Sequence, residues 1–181
     1  GMHAISGGLG GLGLRAAALL SSCGAAGVVL ASRSGRVVRD GQWSGPVPNS
    51  LLDGAAVVAC DSAEACDTVA LLRRGAPRGM LHAAGAGDKG LMAELWSGKV
   101  RWMYSAKAVG AWHVHCASAA SPLETLVLFS SVGGGLGNVG QANYAAGNAC
   151  LDAHAQARRG LGAVACSVQW PLVGGAGMGA A

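Results

Sequence analysis

Four polar residues in the second half of the chain could together perform acid–base chemistry on a carbonyl group. Tyr144 and Asn148 lie four positions apart in a predicted helix and therefore share one of its faces. Ser131 ends the predicted strand before that helix, and Lys107 lies in the helix before that strand. Reduction of a carbonyl needs a proton donor at its oxygen. A tyrosine phenol, whose ordinary pKa is about 10, needs a nearby ammonium to serve near neutral pH, and a serine hydroxyl can hold the same oxygen. The alternative is structural, with Tyr144 a half-buried helix residue and Ser131 a cap at the strand end.

The elements that must position these residues alternate between short apolar strands and helices. Continuous apolar strands separated by helices are typical of an α/β fold, here a Rossmann-like doubly wound parallel sheet with helices on both faces. In such a sheet the carboxyl ends of the strands and the starts of the helices meet at one edge, where ligands bind. The sequence predicts strands at 2–6, 28–32, 56–59, 79–82, 126–130 and 164–170, helices at 11–22, 62–74, 99–119 and 142–159, and a loop at 33–54.

A glycine-rich run after the first predicted strand could hold a dinucleotide. Glycines at this place permit a tight turn and let backbone N–H groups approach a pyrophosphate at the helix N-terminus. The chain is rich in glycine throughout, with 31 residues, so a flexible turn is an equal alternative for the run taken by itself. The run consists of Gly7, Gly8, Leu9, Gly10, Gly11, Leu12 and Gly13.

The end of the second predicted strand indicates which dinucleotide would bind. Sites that prefer NAD place a carboxylate about 20 residues beyond the glycines. Here Ser32, Arg33 and Ser34 occupy that place, and Arg33 can make a charge-assisted bond to a 2′-phosphate. The sequence therefore predicts NADPH over NADH. The alternative for Arg33 is a solvated loop arginine.

The next two strand ends complete the predicted cofactor site. Asp61 could accept a hydrogen bond from the adenine amine or act as a helix N-cap, and Ser62 follows it as a further N-cap candidate. His82 ends the fourth strand, where we expect a buried histidine with satisfied hydrogen bonds rather than a catalyst. Small residues after it would let the backbone lie against the cofactor ribose, and these are Ala83, Ala84 and Gly85.

Composition excludes several classes of function. A length of 181 residues suits one domain, and with 51% hydrophobic residues a sizeable core is possible. The net charge of +4 is mild and Lys and Arg form no long run, which argues against nucleic acid. Six cysteines lack metal-ligand spacing, so we expect all six to be buried small apolar residues and no metal site. Residues 14–31 are apolar but interrupted, so no membrane span is expected, and the chain is predicted to be a soluble cytoplasmic protein.

Five segments, taken in order, resemble the ketoreductase domain of polyketide synthases, a branch of the short-chain dehydrogenase/reductase superfamily. Ordinary members of that superfamily carry Lys four residues after the catalytic Tyr and Asn in the earlier helix. The synthase domains exchange the two, and this chain has Asn148 after Tyr144 and Lys107 in the earlier segment. The resemblance covers nearly the whole chain. Its segments are 6–13 (SGGLGGLG), 32–35 (SRSG), 82–85 (HAAG), 128–131 (LFSS) and 140–148 (GQANYAAGN).

The resemblance implies a function and a role for each residue. Residues 1–181 would be a single NADPH-binding catalytic core, part of a larger multifunctional synthase. It would reduce a β-keto thioester carried on the phosphopantetheine of an acyl carrier protein. Tyr144 would give the proton, Ser131 would hold the keto oxygen, Lys107 would support Tyr144 and link it to a proton relay, and Asn148 would hold that relay.

Some positions depart from the family pattern, and two other functions stay open. At 87–89, Gly-Asp-Lys stands where one stereochemical type has Leu-Asp-Asp, and the tryptophan of the opposite type is absent near Leu136, so the product configuration is open. The segments 33–54 and 73–80 are short for the family. One alternative is a non-catalytic domain that stabilises its neighbours in a synthase. The other is a stand-alone reductase of small ketones, against which the Lys/Asn exchange argues.

Overall fold

The chain folds around a six-stranded, fully parallel sheet, as predicted. The structure is a computed structural model and describes residues 1–36, 54–87 and 90–174. The strand order is β3-β2-β1-β4-β5-β6. Strands β1 to β3 extend the sheet in one direction and β4 to β6 in the other, so the order reverses between β1 and β4. This is the Rossmann-like order that creates a crevice at the carboxyl ends of β1 and β4. The strands are β1 (Met2–Ser6), β2 (Gly27–Ser32), β3 (Ala55–Ala59), β4 (Gly79–His82), β5 (Thr125–Ser131) and β6 (Cys166–Trp170).

Helices cover both faces of this sheet in the described ranges. One long helical stretch is divided by a π-helical turn at Ser105–Val109, and a short 3-10 turn at Met92–Glu94 precedes it. The helices are α1 (Gly11–Ser22), α2 (Ala65–Arg73), α3 (Ser97–Tyr104), α4 (Gly110–Ser118), α5 (Gly133–Leu136) and α6 (Ala142–Gly160). None of the described helices is both long and apolar enough to cross a lipid bilayer.

Successive strand residues point to opposite faces and build two separate cores. Ala4 belongs to the core under α2, α4 and α6, whereas its neighbour Ile5 belongs to the core under α1. Leu128 and Phe129 divide in the same way on β5. Because β2 and β4 are buried on both faces, their central residues are apolar, which is why the sequence predicted these strands well.

Helix α2 and strand β6 begin later than predicted, each for a local reason, and the other predicted boundaries agree to within two residues. Helix α2 begins at Ala65 instead of 62, because the Asp61 carboxylate accepts the Ala63 N–H at 3.0 Å and forms a turn first. Strand β6 begins at Cys166 instead of 164, because arginines of α6 bind the carbonyls of Val164 and Ala165. The predicted helix 99–119 is α3, the π-helical turn and α4.

Of the other predictions, the one on the cysteines was wrong, and two concern segments that lie wholly or partly outside the described residues. The expectation of six buried cysteines was wrong: Cys60 is buried and Cys150 is partly exposed, but Cys23, Cys66, Cys116 and Cys166 are exposed. These four lie at helix ends, on outer helix faces and on the edge strand β6. Most of the predicted loop 33–54, and positions 88–89 of the stereochemical segment, lie outside the described residues.

Candidate functional site

A cleft of about 1850 Å³ lies along the carboxyl edge of the sheet. Every site residue predicted from the sequence lines this cleft except Gly8, His82 and Asn148, which lie behind its wall. The cleft runs from the glycine-rich turn after β1, past the end of β4, to the start of α6. One continuous space therefore joins the predicted cofactor residues to Tyr144, Ser131 and Lys107.

Two glycines of the glycine-rich turn lie so close to neighbouring backbone that neither position has room for a side chain. Gly7 has a φ of +68°, and a Cβ there would lie 2.6 Å from the backbone nitrogen of Ala84. A Cβ on Gly13 would lie 2.5 Å from the carbonyl oxygen of Gly7. The turn thus packs directly against the segment after β4, and α1 begins beside it at Gly11. A backbone cradle at a helix N-terminus is what a dinucleotide pyrophosphate requires.

The turn after β2 brings two arginines to the cleft. Arg33 and Arg36 both line it and both are exposed, while the backbone N–H of Arg36 donates to Ser34 Oγ at 3.2 Å. Ser32 Oγ is buried without a hydrogen-bond partner in the described part of the chain. Arg36 was missed at the sequence level, although its position three residues after Arg33 could have indicated it. The two guanidinium groups suit an anionic group at this end.

Asp61 and Ser62 form the wall beside that turn. Asp61 lies two residues beyond β3, and its backbone N–H donates to the Asp67 carboxylate at 2.9 Å. The Ser62 carbonyl accepts a hydrogen bond from the His113 ring at 3.1 Å. Both residues line the cleft, but Glu64 and not Ser62 occupies the N-cap position of α2.

Lys107 is a buried ammonium that faces the ring of Tyr144. Its side chain is 3% exposed, and Nζ lies 5.5 Å from the centre of the Tyr144 ring. Nζ also donates to the carbonyl oxygen of Phe129 at 3.2 Å. Burial lowers the pKa of Lys107 from 10.5 to about 8, and the charge of Asp152 opposes this only in part. The ammonium therefore lies beside the Tyr144 ring, and its burial has an unfavourable desolvation free energy.

Ser131 and Tyr144 converge on one small space above α5. Ser131 Oγ accepts the backbone N–H of Gly133 at 3.2 Å. A Cβ placed on Gly133 would lie 3.5 Å from Ser131 Oγ and 4.0 Å from Tyr144 Cε1. The serine hydroxyl and the tyrosine ring thus border the same volume, and the Lys107 ammonium lies 5.5 Å from the centre of that ring. A hydroxyl, a phenol and an ammonium around one space can bind and protonate a carbonyl oxygen.

Asn148 supports this group from inside the protein. It is fully buried, and its amide Nδ2 donates to the carbonyl oxygen of Tyr144 at 2.9 Å. Its Oδ1 is buried without a hydrogen-bond partner among the described residues. Asn148 thus contacts the helix turn that carries Tyr144 and does not reach the cleft directly.

His82 also lies behind the cleft wall, as a fully buried ring. Ser6 Oγ lies 2.7 Å from its Nδ1, and the Lys107 carbonyl oxygen lies 3.1 Å from its Nε2. Burial lowers the pKa of His82 to about 4, so the ring is neutral at physiological pH. The prediction of a buried histidine with satisfied hydrogen bonds is confirmed. The small residues that follow it, Ala83, Ala84 and Gly85, line the cleft where the ribose was expected.

Further residues that line the cleft were not predicted from the sequence. Trp170, the last residue of β6, and the segment 171–173 after it line the cleft, and Trp170 packs on Phe129 with ring centres 5.4 Å apart. Arg101 and Trp102 of α3 line it as well. The segment after β6 could have been found from topology, since it follows a parallel strand. In the described ranges, no group of three or more His, Cys, Asp or Glu side chains is placed to hold a metal ion.

The chain as a whole is similar to known proteins of one kind. The family model described as KR domain matches residues 1–175. Polyketide synthase GfsA from Streptomyces halstedii is 39% identical over 172 residues, which cover 92% of this chain and 2% of that protein. Among solved structures, the first ketoreductase of the tylosin synthase is 40% identical with a TM-score of 0.88, covering 98% of this chain and 40% of that one. An A-type ketoreductase from a modular synthase is 37% identical with a TM-score of 0.84, covering 94% of this chain and 37% of that one. The chain therefore spans only a small part of the curated relatives it matches.

Proposed function

Because the chain belongs to the ketoreductase domains of polyketide synthases, within the short-chain dehydrogenase/reductase superfamily, we propose that it uses NADPH to reduce a β-keto thioester to a β-hydroxy thioester. The observation that carries this proposal is the placement of the Lys107 ammonium against the Tyr144 ring, with Ser131 bordering the same space. We further propose that residues 1–181 form one catalytic core that works beside other synthase domains in the same chain. The thioester would arrive on the phosphopantetheine of an acyl carrier protein.

The residues that would hold NADPH fit the cofactor in shape and charge. The turn at Gly7 and Gly13 leaves room for backbone only, which suits a pyrophosphate. Arg33 and Arg36 would bind a 2′-phosphate, and Asp61 lies where it could accept from the adenine amine. When bound, NADPH supplies the hydride that the keto carbon takes up.

The chain's own residues would manage the keto oxygen and its proton. Ser131 Oγ would donate to the oxygen and fix its position, while the Tyr144 phenol transfers its proton to the same oxygen as the carbon becomes tetrahedral. The Lys107 ammonium would stabilise the phenolate left behind, until a proton from solvent restores the phenol. Asn148 would keep the helix turn under Tyr144 in place through its bond to the Tyr144 carbonyl.

The direct test is turnover of NADPH with a β-ketoacyl pantetheine thioester, followed by the loss of NADPH fluorescence. Tyr144→Phe should lower kcat by about a hundredfold to ten-thousandfold, because it removes the proton and leaves the cofactor contacts in place. NADPH binding by this variant, measured by fluorescence titration, should stay near that of the wild type. No turnover by a folded wild-type chain that binds NADPH would favour a non-catalytic domain, and full activity of Tyr144→Phe would refute the mechanism.

Cofactor and substrate preference can be tested separately. Arg33→Asp should shift the ratio of NADPH to NADH turnover towards NADH, because it removes a phosphate partner and adds repulsion. Arg73→Asp, on α2 outside the cleft, makes the same charge change as a control. An unchanged cofactor ratio in Arg33→Asp would mean that Arg33 does not contact the phosphate. A preference for small free ketones over carrier-bound thioesters would favour a stand-alone reductase.

A further inference from the structure

The π-helical turn at Ser105–Val109 is the element that presents Lys107 to the cleft. A π-helical turn is a rare widening of an α-helix by one residue, and such turns occur frequently at functional sites. Here the backbone N–H of Gly110 donates to the carbonyl of Ser105, five residues back, and also to the carbonyl of Lys107. Lys107 is at the centre of the turn, with its side chain in the site and its carbonyl on the side of the sheet. Whatever holds this turn sets the position of the ammonium.

His82 contacts this turn through a hydrogen bond whose direction is fixed. The Lys107 carbonyl oxygen can only accept, so His82 Nε2 must carry the proton and donate. In the neutral ring Nδ1 is then an acceptor, and it receives the hydroxyl proton of Ser6 at 2.7 Å. Desolvation, which lowers the pKa of His82 to about 4, keeps the ring in this neutral form.

The packing around His82 leaves room for this ring and for little else. A Cβ on Gly110 would lie 2.7 Å from His82 Cε1, so only the absence of a side chain at 110 admits the ring beneath the turn. The ring is fully buried. An apolar side chain could fill such a space without the cost of burying two ring nitrogens. The polar ring is therefore explained by what it binds.

We propose that His82 is a positioning residue for catalysis, which holds the π-helical turn by its bond to the Lys107 carbonyl and thereby aims Lys107 Nζ at Tyr144 and the Phe129 carbonyl. The hydrogen bonds run from Ser6, the last residue of β1, through the ring to the turn. Ser6 directly precedes the glycine-rich turn, so the same ring joins the cofactor half of the site to its acid–base half. The kinetic part of this inference rests on the proposed function, and its structural part does not.

Two amide substitutions separate positioning from packing. In His82→Gln the longer side chain carries an N–H donor about as far out as Nε2 and can still bond the Lys107 carbonyl. In His82→Asn the amide reaches only about as far as Nδ1, on the side of Ser6. We expect His82→Gln to keep most of kcat, whereas His82→Asn and His82→Leu lose roughly tenfold to a hundredfold, the loss expected from a displacement of about 1 Å. The Kd for NADPH should change by less than about threefold in all three, because the His82 side chain does not line the cleft.

Leu126→Ala serves as the control for a general loss of stability. Leu126 is buried in β5 at the opposite edge of the sheet from the site, and its truncation should cost about 2 to 5 kcal/mol of unfolding free energy. Thermal melts would measure the stability of each variant, so that kcat is compared between variants of similar stability. Equal kcat in the Gln and Asn variants, or a loss in Leu126→Ala as large as in His82→Asn, would overturn the positioning role.

Amide hydrogen exchange tests the structural part without any catalysis. If His82 holds the turn, residues 105–110 should exchange faster in His82→Asn than in His82→Gln, while α6 stays protected in both. This readout remains valid even if the wild-type chain fails to reduce a thioester, so failure of the proposed function and failure of the inference give different results. Equal exchange at 105–110 in both variants would refute the inference. The comparison uses only the Asn and Gln variants, so it remains possible if His82→Leu fails to fold.

Discussion

Replacing Lys107 by methionine should stabilise the protein at neutral pH while it abolishes the proposed activity. The lysine side chain is 3% exposed, and burial lowers its pKa from 10.5 to about 8. Methionine has a similar length, fills irregular core space and has no charge to desolvate. The ammonium is therefore retained at a cost in stability, as expected of a group that the chemistry requires.

The size of the effect and its dependence on pH follow from that change in pKa. Below pH 8 the lysine is charged in both the folded and the unfolded chain, so the folded chain bears the whole desolvation cost. As the pH rises from 8 towards 10.5 the folded chain loses this proton first, and the cost disappears. The advantage of Lys107→Met in unfolding free energy should thus be larger at pH 7 than at pH 10 by roughly 2 to 3 kcal/mol. The lost bond from Nζ to the Phe129 carbonyl lowers the advantage at both pH values.

Urea denaturation of wild type and variant at pH 7 and pH 10 measures this difference. Titrations elsewhere in the chain occur in both proteins and cancel in the comparison. Lys99→Met, at a partly exposed lysine of α3, controls for the removal of a lysine. An advantage that is the same at both pH values would show that the Lys107 ammonium is not desolvated, and the reasoning about the site's electrostatics would fail.

Three further predictions concern the cofactor turn, the buried histidine and the junction of α4 with α6. Gly13→Ala should weaken NADPH binding more than about tenfold in fluorescence titrations, since its Cβ would lie 2.5 Å from the Gly7 oxygen. Because the pKa of His82 is lowered from 6.5 to about 4, wild type should lose roughly 2 kcal/mol more unfolding free energy than His82→Gln between pH 7 and pH 5. Arg158→Ala should cost about 2 to 4 kcal/mol in urea denaturation, because the buried guanidinium donates to the His115 ring at 2.8 Å.

Each of these predictions has a matched control. Gly160→Ala adds a methyl group at a glycine with no atom within 4 Å of its Cβ, and it should leave NADPH binding unchanged. If Gly13→Ala binds as tightly as Gly160→Ala, the cradle does not hold the cofactor. Parallel pH dependence in wild type and His82→Gln would show that the ring takes up its proton freely. Arg159→Ala, at an exposed neighbour, should cost less than Arg158→Ala, and equal losses would contradict the role given to burial.

The sheet was predictable because each strand has its own local signal. Residues 28–31 of β2 and 80–81 of β4 are apolar, as expected of strands buried on both faces, and the glycines between β1 and α1 indicated the edge predicted to bind the cofactor. Ser131 ends β5 and Tyr144 lies in the first turn of α6, so their meeting at the same edge follows from the order of the elements. Their convergence there was therefore within reach of the sequence.

The burial of individual side chains, and whether they reach the cleft, could not be predicted in the same way. His82 and Asn148 belong to motifs next to the cleft but lie behind its wall, since their side chains point to the side that the helices cover. The exposed cysteines were misjudged because composition gives an average burial for a residue type and not the burial at a particular helix face. The π-helical turn has no local signal in Ser105–Val109, where small residues are compatible with an ordinary α-helix.

The π-helical turn also means that deleting a single residue within it should change the position of Lys107. Such a turn is equivalent to one residue inserted into an α-helix, so the segments on either side keep the orientation of an uninterrupted helix one residue shorter. Removing Ala108 would close the turn into a regular α-helix and leave Met103 and Val114 packed as before. The protein should then fold normally, yet its lysine would be turned away by part of a helical turn. Activity here would be lost by a deletion that removes no reactive group.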